Sequence, residues 1–130
     1  MLESLQSWPQ ALRDAAYDNT AAVRDSAAQL AGFDARSAAL LARAAGDVDQ
    51  RYGPAERQLF DYFTGLAEAP TLLFIHGGYW QMRHKNSFRF VAEGALALGL
   101  NAALLGYTLA PQASLTQIVE EVRQGIAAVR

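Results

Sequence analysis

Thr71-Leu72-Leu73-Phe74-Ile75 runs directly into His76-Gly77-Gly78-Tyr79-Trp80. The first five residues are a compact apolar run of strand length, the pattern of a strand buried on both faces. The two glycines that follow let the backbone turn sharply and approach a ligand with no Cβ in the way. Backbone N–H groups in such a turn can converge on a cleft, which is what stabilising an oxyanion requires. A Gly-Gly pair after a strand is in itself an ordinary turn. His76 and Trp80 on either side, followed by Gln81 and a helical pattern, set this one apart.

The segments around this stretch predict an α/β fold. From Ser87 to Leu98 the apolar residues Phe88, Val91, Ala92, Ala95 and Leu98 recur at spacings of three and four, one face of a helix that Gly99 stops. Asn101 to Tyr107 is a second apolar run of strand length. After Pro111, Ser114 is placed to cap a helix whose face is Leu115, Ile118, Val119, Val122, Ile126 and Val129. Upstream, the aromatic-rich Leu59-Phe60-Asp61-Tyr62-Phe63 reads as a strand. The order from there is strand, strand, helix, strand, helix. A strand–helix–strand unit with short loops favours a parallel pair with a right-handed crossover, so a mostly parallel sheet is expected.

The first fifty residues differ in character. They hold 14 alanines and little β-branched content, so short helices are expected there. Pro9 suits a first turn, Asn19 and Thr20 a cap, Gly32 a stop, and Asp34 a further cap with Gly46 past its end. The expected domains are a helical N-terminal cap or arm over 1–50 and an α/β portion over 51–130, with Arg51-Tyr52-Gly53-Pro54 as the turn between them. Three strands are few for such a sheet, and the chain stops at Arg130 where another strand is expected. The α/β portion therefore reads as the N-terminal part of a larger domain.

Composition narrows the function classes. The chain has 130 residues, 52% apolar and 18% charged, with a net charge of −2 and a pI near 5.6. That balance gives no electrostatic case for nucleic acid or an anionic membrane surface. With no cysteine there is no disulfide, thiolate metal site or Cys nucleophile. Met1 to Gln6 lacks a basic and an apolar region of the secretory kind, and no apolar run is long enough to span a bilayer. A cytoplasmic protein is the expectation, with a homo-oligomer left open.

His-Gly-Gly-Tyr-Trp-Gln at 76–81 resembles the arylformamidase (kynurenine formamidase) branch of the α/β-hydrolases, near the hormone-sensitive-lipase-like esterases. The HGGG-type loop of lipases and esterases contributes to an oxyanion hole; here its third glycine is Tyr79. The resemblance extends to Tyr52-Gly53-Pro54 with Arg57 and Asp61, to Tyr107-Thr108-Leu109-Ala110-Pro111, and to Tyr17-Asp18-Asn19. It implies a serine hydrolase with a Ser-Asp-His triad and no metal or cofactor, acting on a small ester or an N-formyl aromatic amide. It further implies Gly78 and Tyr79 as backbone oxyanion donors, Gly77 as the residue that shapes the turn, and His76 as a structural ring fixing the loop. Tyr79 and Trp80 either wall an aromatic substrate pocket or pack the loop onto the sheet.

The chain departs from that pattern at the nucleophile. None of its six serines (Ser4, Ser7, Ser26, Ser37, Ser87, Ser114) has glycine two residues before and after, so no Gly-x-Ser-x-Gly elbow is present. No catalytic triad residue is assigned in this chain; nucleophile, acid and base are expected beyond Arg130. His76 and His84 lie eight apart with no acidic residue between them, an unconvincing metal pair. His84 reads as a solvated loop residue and Asp61 as structural. Arg83, Lys85 and Arg89 form a basic cluster that either attracts a substrate carboxylate or is a solvated helix start. Two further readings remain: a non-catalytic binding module, and a fragment completed by a serine-bearing partner.

Overall fold

The computed structural model describes residues 7–129. The Met1–Gln6 segment, with Ser4 in it, and Arg130 lie outside the described residues. The chain divides into two compact units, one up to Gly32 and one from Phe33 onward.

In the first unit, α1 (Gln10–Tyr17) follows Pro9, and α2 (Asn19–Ala22) is capped by Asp18, whose Oδ1 accepts from the Ala21 N–H at 3.0 Å. The cap is thus one residue earlier than Asn19. A third helix, α3 (Ser26–Leu41), includes Gly32 and Asp34, with its residues from Phe33 onward belonging to the second unit. Neither residue stops or caps a helix here. A single glycine costs a helix only about 1 kcal/mol relative to alanine, too little to break a 16-residue element rich in alanine.

The second unit is built on β1 (Gly46–Arg51), β2 (Leu59–Phe63), β3 (Thr71–Ile75) and β4 (Asn101–Leu105), in the sheet order β1-β2-β4-β3. A 3-10 helix (Lys85–Val91) continues into α4 (Ala92–Ala97) to connect β3 with β4, and α5 (Leu115–Val129) follows β4. The expected strand–helix–strand unit is present, and β3 pairs parallel to β4 with Thr71 opposite Asn101 and Ile75 opposite Leu105. The sheet as a whole is mixed, because β1–β2 and β2–β4 are antiparallel.

Three expectations need correction. Residues 46–51 are a strand, not the end of a helical arm; β1 is almost wholly exposed and carries no apolar alternation, so pairing with β2 is what makes it a strand. Second, β3 is not buried on both faces: it lies at the sheet edge, and Leu72 is 41% exposed. The strand buried throughout is β4, between β2 and β3. Third, the helix of the crossover ends before Leu98, which is 77% exposed rather than part of the buried face.

Buried apolar side chains form two clusters, one of them built on alternate positions of β4. Ala102 and Leu104 pack with Phe63, Leu40 of α3, and Ala92 and Ala95 of α4. In the other cluster, Tyr107, Ala113 and Ile118 of α5 pack with Ile75, Leu109 and Val122. The α5 backbone comes close to the sheet at Gly125, where a Cβ would collide with Leu105 Cδ1. Gly125→Val is therefore expected to destabilise the unit by about 1–3 kcal/mol through overpacking, read as a shift in the urea midpoint. The start of α5 carries a reciprocal capping box. Ser114 Oγ accepts from the Gln117 N–H at 3.3 Å, and Gln117 Oε1 accepts from the Ser114 N–H at 2.7 Å.

Candidate active-site loop

The end of β3 delivers His76 into the interior, 1% exposed. Its ring lies flat between two others, with centroids 4.5 Å from Tyr107 and 6.0 Å from Phe88. Nδ1 sits 2.8 Å from the Gly77 carbonyl, so it carries the proton and donates; Nε2 is then the bare nitrogen, buried with no partner among the described residues. Burial lowers the His76 pKa; the Gly77 bond partly opposes this, and the nearby Arg57 charge reinforces it. The neutral ring is thus the stable form, consistent with a structural part in the loop.

Past Gly77 the backbone takes an uncommon course. Gly78, Tyr79 and Trp80 all have positive φ, at 121°, 51° and 61°, and Arg83 follows at 79°. Only glycine adopts such values freely. The Gly78 carbonyl accepts from the N–H groups of both Gln81 and Met82 at 3.0 Å, closing a tight turn. A Cβ on Gly78 would run into the Met82 carbonyl oxygen, whereas one on Gly77 would meet nothing within 4 Å. The conformational demand in the pair therefore falls on Gly78, and Gly77 is not sterically required.

Contacts from outside hold this turn. The Trp80 carbonyl accepts from the Ala110 N–H at 2.8 Å. The Tyr107 hydroxyl donates to the His76 carbonyl at 2.7 Å, and the Trp80 and Tyr107 ring centroids are 5.6 Å apart. Trp80 joins Leu115, Ile118 and Val119 of α5 around an apolar cavity of about 140 Å³. Tyr79 is 53% exposed and does not line it. Of the two aromatic residues, then, Trp80 both packs on the fold and walls a pocket.

Two members of the basic cluster, Lys85 and Arg89, are buried in ion pairs rather than solvated, while Arg83 is half-buried. Lys85 is 1% exposed, with Nζ 2.6 Å from Asp61 Oδ1 and 2.5 Å from Asp49 Oδ1. Arg89 Nε lies 2.7 Å from Asp61 Oδ2. Lys85 and Arg89 therefore tie the 3-10 helix to β2 through Asp61, a structural residue as expected. Two cations four apart on an otherwise apolar helical face were the available signal of an internal ion pair. His84 is half-buried, and its Nδ1 accepts from the Asn86 N–H at 3.2 Å as an N-cap, so it is not a solvated loop residue.

Ser37 Oγ accepts from the Phe90 N–H at 3.2 Å, and Ser114 Oγ is held in its capping box; both hydroxyls serve backbone amides. Among the described residues, no group of three His, Asp or Glu side chains could hold a metal ion. Among those residues, too, no helix is long and apolar enough to cross a membrane.

No protein-family model matches the sequence. The chain is similar to the kynurenine formamidase of Danio rerio, with 29% identity over 85 residues that cover 63% of this chain and 29% of the relative. It is similar to the enzyme of the same name from Drosophila melanogaster, with 34% identity over 74 residues covering 55% of this chain and 24% of the relative. The alignments thus span less than a third of these curated relatives' length. Among solved structures, a candidate thioesterase from Silicibacter sp. superposes with a TM-score of 0.81 at 28% identity, covering 88% of this chain and 45% of that one. Esterase B from Lactobacillus rhamnosis matches with a TM-score of 0.58 at 22% identity over 76% of this chain and 35% of that one, a likeness of fold alone.

Proposed function

We propose that this chain, an arylformamidase-like part of the α/β-hydrolase fold, supplies the oxyanion-binding loop of a serine-dependent hydrolase of carboxylic esters or N-formyl aromatic amides. The observation that carries this reading is the left-handed run Gly78–Trp80, two residues past the end of β3. Successive backbone N–H groups carried through such a turn form the concave arrangement that binds anions. Gly78 and Tyr79 are the donors in this reading. His76 and the Tyr107 ring beneath it hold the loop in shape.

In the reaction, a serine supplied by another segment attacks the carbonyl carbon, and the carbonyl oxygen takes the negative charge. N–H donors already aimed at that position stabilise the tetrahedral intermediate without reorganising, which is why losing one typically costs about 100- to 1000-fold in rate. Collapse of the intermediate expels the alcohol or arylamine, and water then releases the acyl group from serine. The 130-residue chain alone is expected to be inactive toward p-nitrophenyl acetate and N-formylaniline. A protein that joins it to a serine-bearing remainder is expected to turn over at least one of them. Turnover by the chain alone, abolished by changing one of its own residues, would overturn this division of labour. So would inactivity of the joined protein toward both substrates.

One observation favours a second reading, a ligand-binding module of the same descent. The apolar cavity beside Trp80 is lined by side chains of this chain itself, Leu115, Ile118 and Val119. Saturable binding of an apolar ligand there, with no serine-bearing form showing turnover, would select the module.

A further inference from the structure

The 76–83 loop holds four residues at positive φ, three of them not glycine. Such conformations cost about 1–3 kcal/mol each and persist only where the surroundings over-determine them. Three carbonyls within the loop are pinned by groups outside it. His76 is held by the Tyr107 hydroxyl and Trp80 by the Ala110 N–H, as described above. The third is Arg83, the last left-handed residue, whose carbonyl accepts from the Arg57 guanidinium at 2.6 Å. The same guanidinium donates through Nε to the Tyr107 carbonyl at 2.9 Å. Tyr107 in turn bonds the His76 carbonyl through its hydroxyl and packs against both the His76 and Trp80 rings. One side chain thus spans the loop's end and the residue that supports its beginning.

The base of Arg57 is itself held firmly. The Tyr52 N–H donates to the Gln58 carbonyl at 3.1 Å, and Gln58 Oε1 accepts from the Ala55 N–H at 2.8 Å. The Tyr52 hydroxyl donates to the Gly106 carbonyl at 2.6 Å, beside Tyr107. An Arg fork suits this work because its planar donors reach two acceptors in fixed directions; a lysine ammonium is a single point with no such fork.

We propose that Arg57 is a positioning residue that holds the 76–83 loop in its left-handed course by bridging the Tyr107 and Arg83 carbonyls. The proposal rests on the hydrolase reading only for its catalytic consequence. The clamp itself is a property of this chain.

The test has two arms. In the 130-residue chain, Arg57→Lys is expected to speed amide hydrogen exchange at Gly78–Arg83 by about tenfold while Ala102–Leu105 of β4 stay unchanged, a local rather than global opening. Tyr107→Phe, which removes only the bond to the His76 carbonyl, is expected to loosen Gly77 and Gly78 and to leave Arg83 as it was. In a serine-bearing form that hydrolyses the aryl ester, Arg57→Lys is expected to lower kcat by about 10- to 100-fold with KM unchanged, the signature of misplaced groups rather than lost substrate contact. Unchanged exchange at Gly78–Arg83, or an equal rise in β4, would overturn the clamp. A raised KM at constant kcat would overturn the positioning role in favour of a substrate contact. If no serine-bearing form hydrolyses anything, the hydrolase reading fails, and the exchange arm still decides the clamp.

Discussion

Asp61→Asn is expected to remove about 3–5 kcal/mol of folding stability, the usual result of breaking a buried ion pair from one side. Asp61 is fully buried and accepts from Lys85, from Arg89 and from the Asp49 N–H at 2.9 Å. Without its charge, the ammonium of Lys85, itself 1% exposed, keeps only Asp49 as an anionic partner among the described residues, and Asp49's side chain is 52% exposed. Small domains have about 5–15 kcal/mol in total, so a loss of this size should be plain in urea unfolding followed by circular dichroism. Asp49→Asn, on the exposed side of the same network, is expected to cost about 1 kcal/mol or less. A loss below about 1 kcal/mol for Asp61→Asn would show that the network does not hold the 3-10 helix to the sheet.

The same carboxylate sets an acid limit. Burial pushes the Asp61 pKa up, but the bonds from Arg89, Lys85 and the Asp49 amide outweigh it and hold the group below the ordinary carboxylate range. A folded pKa below the unfolded one means that the unfolded chain binds the proton more readily. The contribution is therefore fully present above the unfolded Asp value, about 3.9, and is lost as pH falls through the folded value. Asp61→Asn should flatten that acid limb, and stability measured across it provides the check.

How far the sequence could be read depended on whether a residue's fate was local. The β3 loop was legible because strand, glycine pair and aromatic rings are contiguous, and α5 because its apolar period is regular and its cap adjacent. Strand β1 was not: Gly46-Asp47-Val48-Asp49-Gln50-Arg51 has no alternation, and its extended state depends on pairing with β2, interrupted by an irregularity between Asp47 and Gln50. The edge position of β3 was hidden for the same reason, since an apolar run does not record whether one neighbouring strand or two is present. The burial of Lys85 and Arg89 was hidden because their partner Asp61 is 24 and 28 residues away. Arg57 and Tyr107 could be singled out as residues, but their joint role is made by hydrogen bonds across 50 residues and has no signature in spacing.

The second large effect is expected at the glycine pair, where the two positions should behave in opposite ways. Gly77→Ala adds a methyl group where nothing lies within 4 Å, so stability should stay within about 0.5 kcal/mol of the parent. Gly78→Ala meets two obstacles: a φ of 121° that alanine resists, and the Met82 carbonyl oxygen in the space its Cβ needs. That oxygen belongs to the turn itself, so it cannot swing aside as a flexible side chain could. The 78–82 turn must open, and the Gly78 and Tyr79 N–H groups move with it. In a serine-bearing form, losing one aligned donor predicts a fall in kcat of about 100- to 1000-fold. In this chain alone the same change should spread through the Trp80–Tyr107 ring contact, visible as shifts of both ring resonances and of the Val119 methyl groups beside Trp80. The comparison separates two explanations of the pair. If Gly77→Ala proved as damaging as Gly78→Ala, the glycines would serve close approach of a ligand rather than backbone conformation. If only Gly78→Ala is damaging, the loop's chemistry depends on one left-handed peptide that no other residue type can supply without opening the turn.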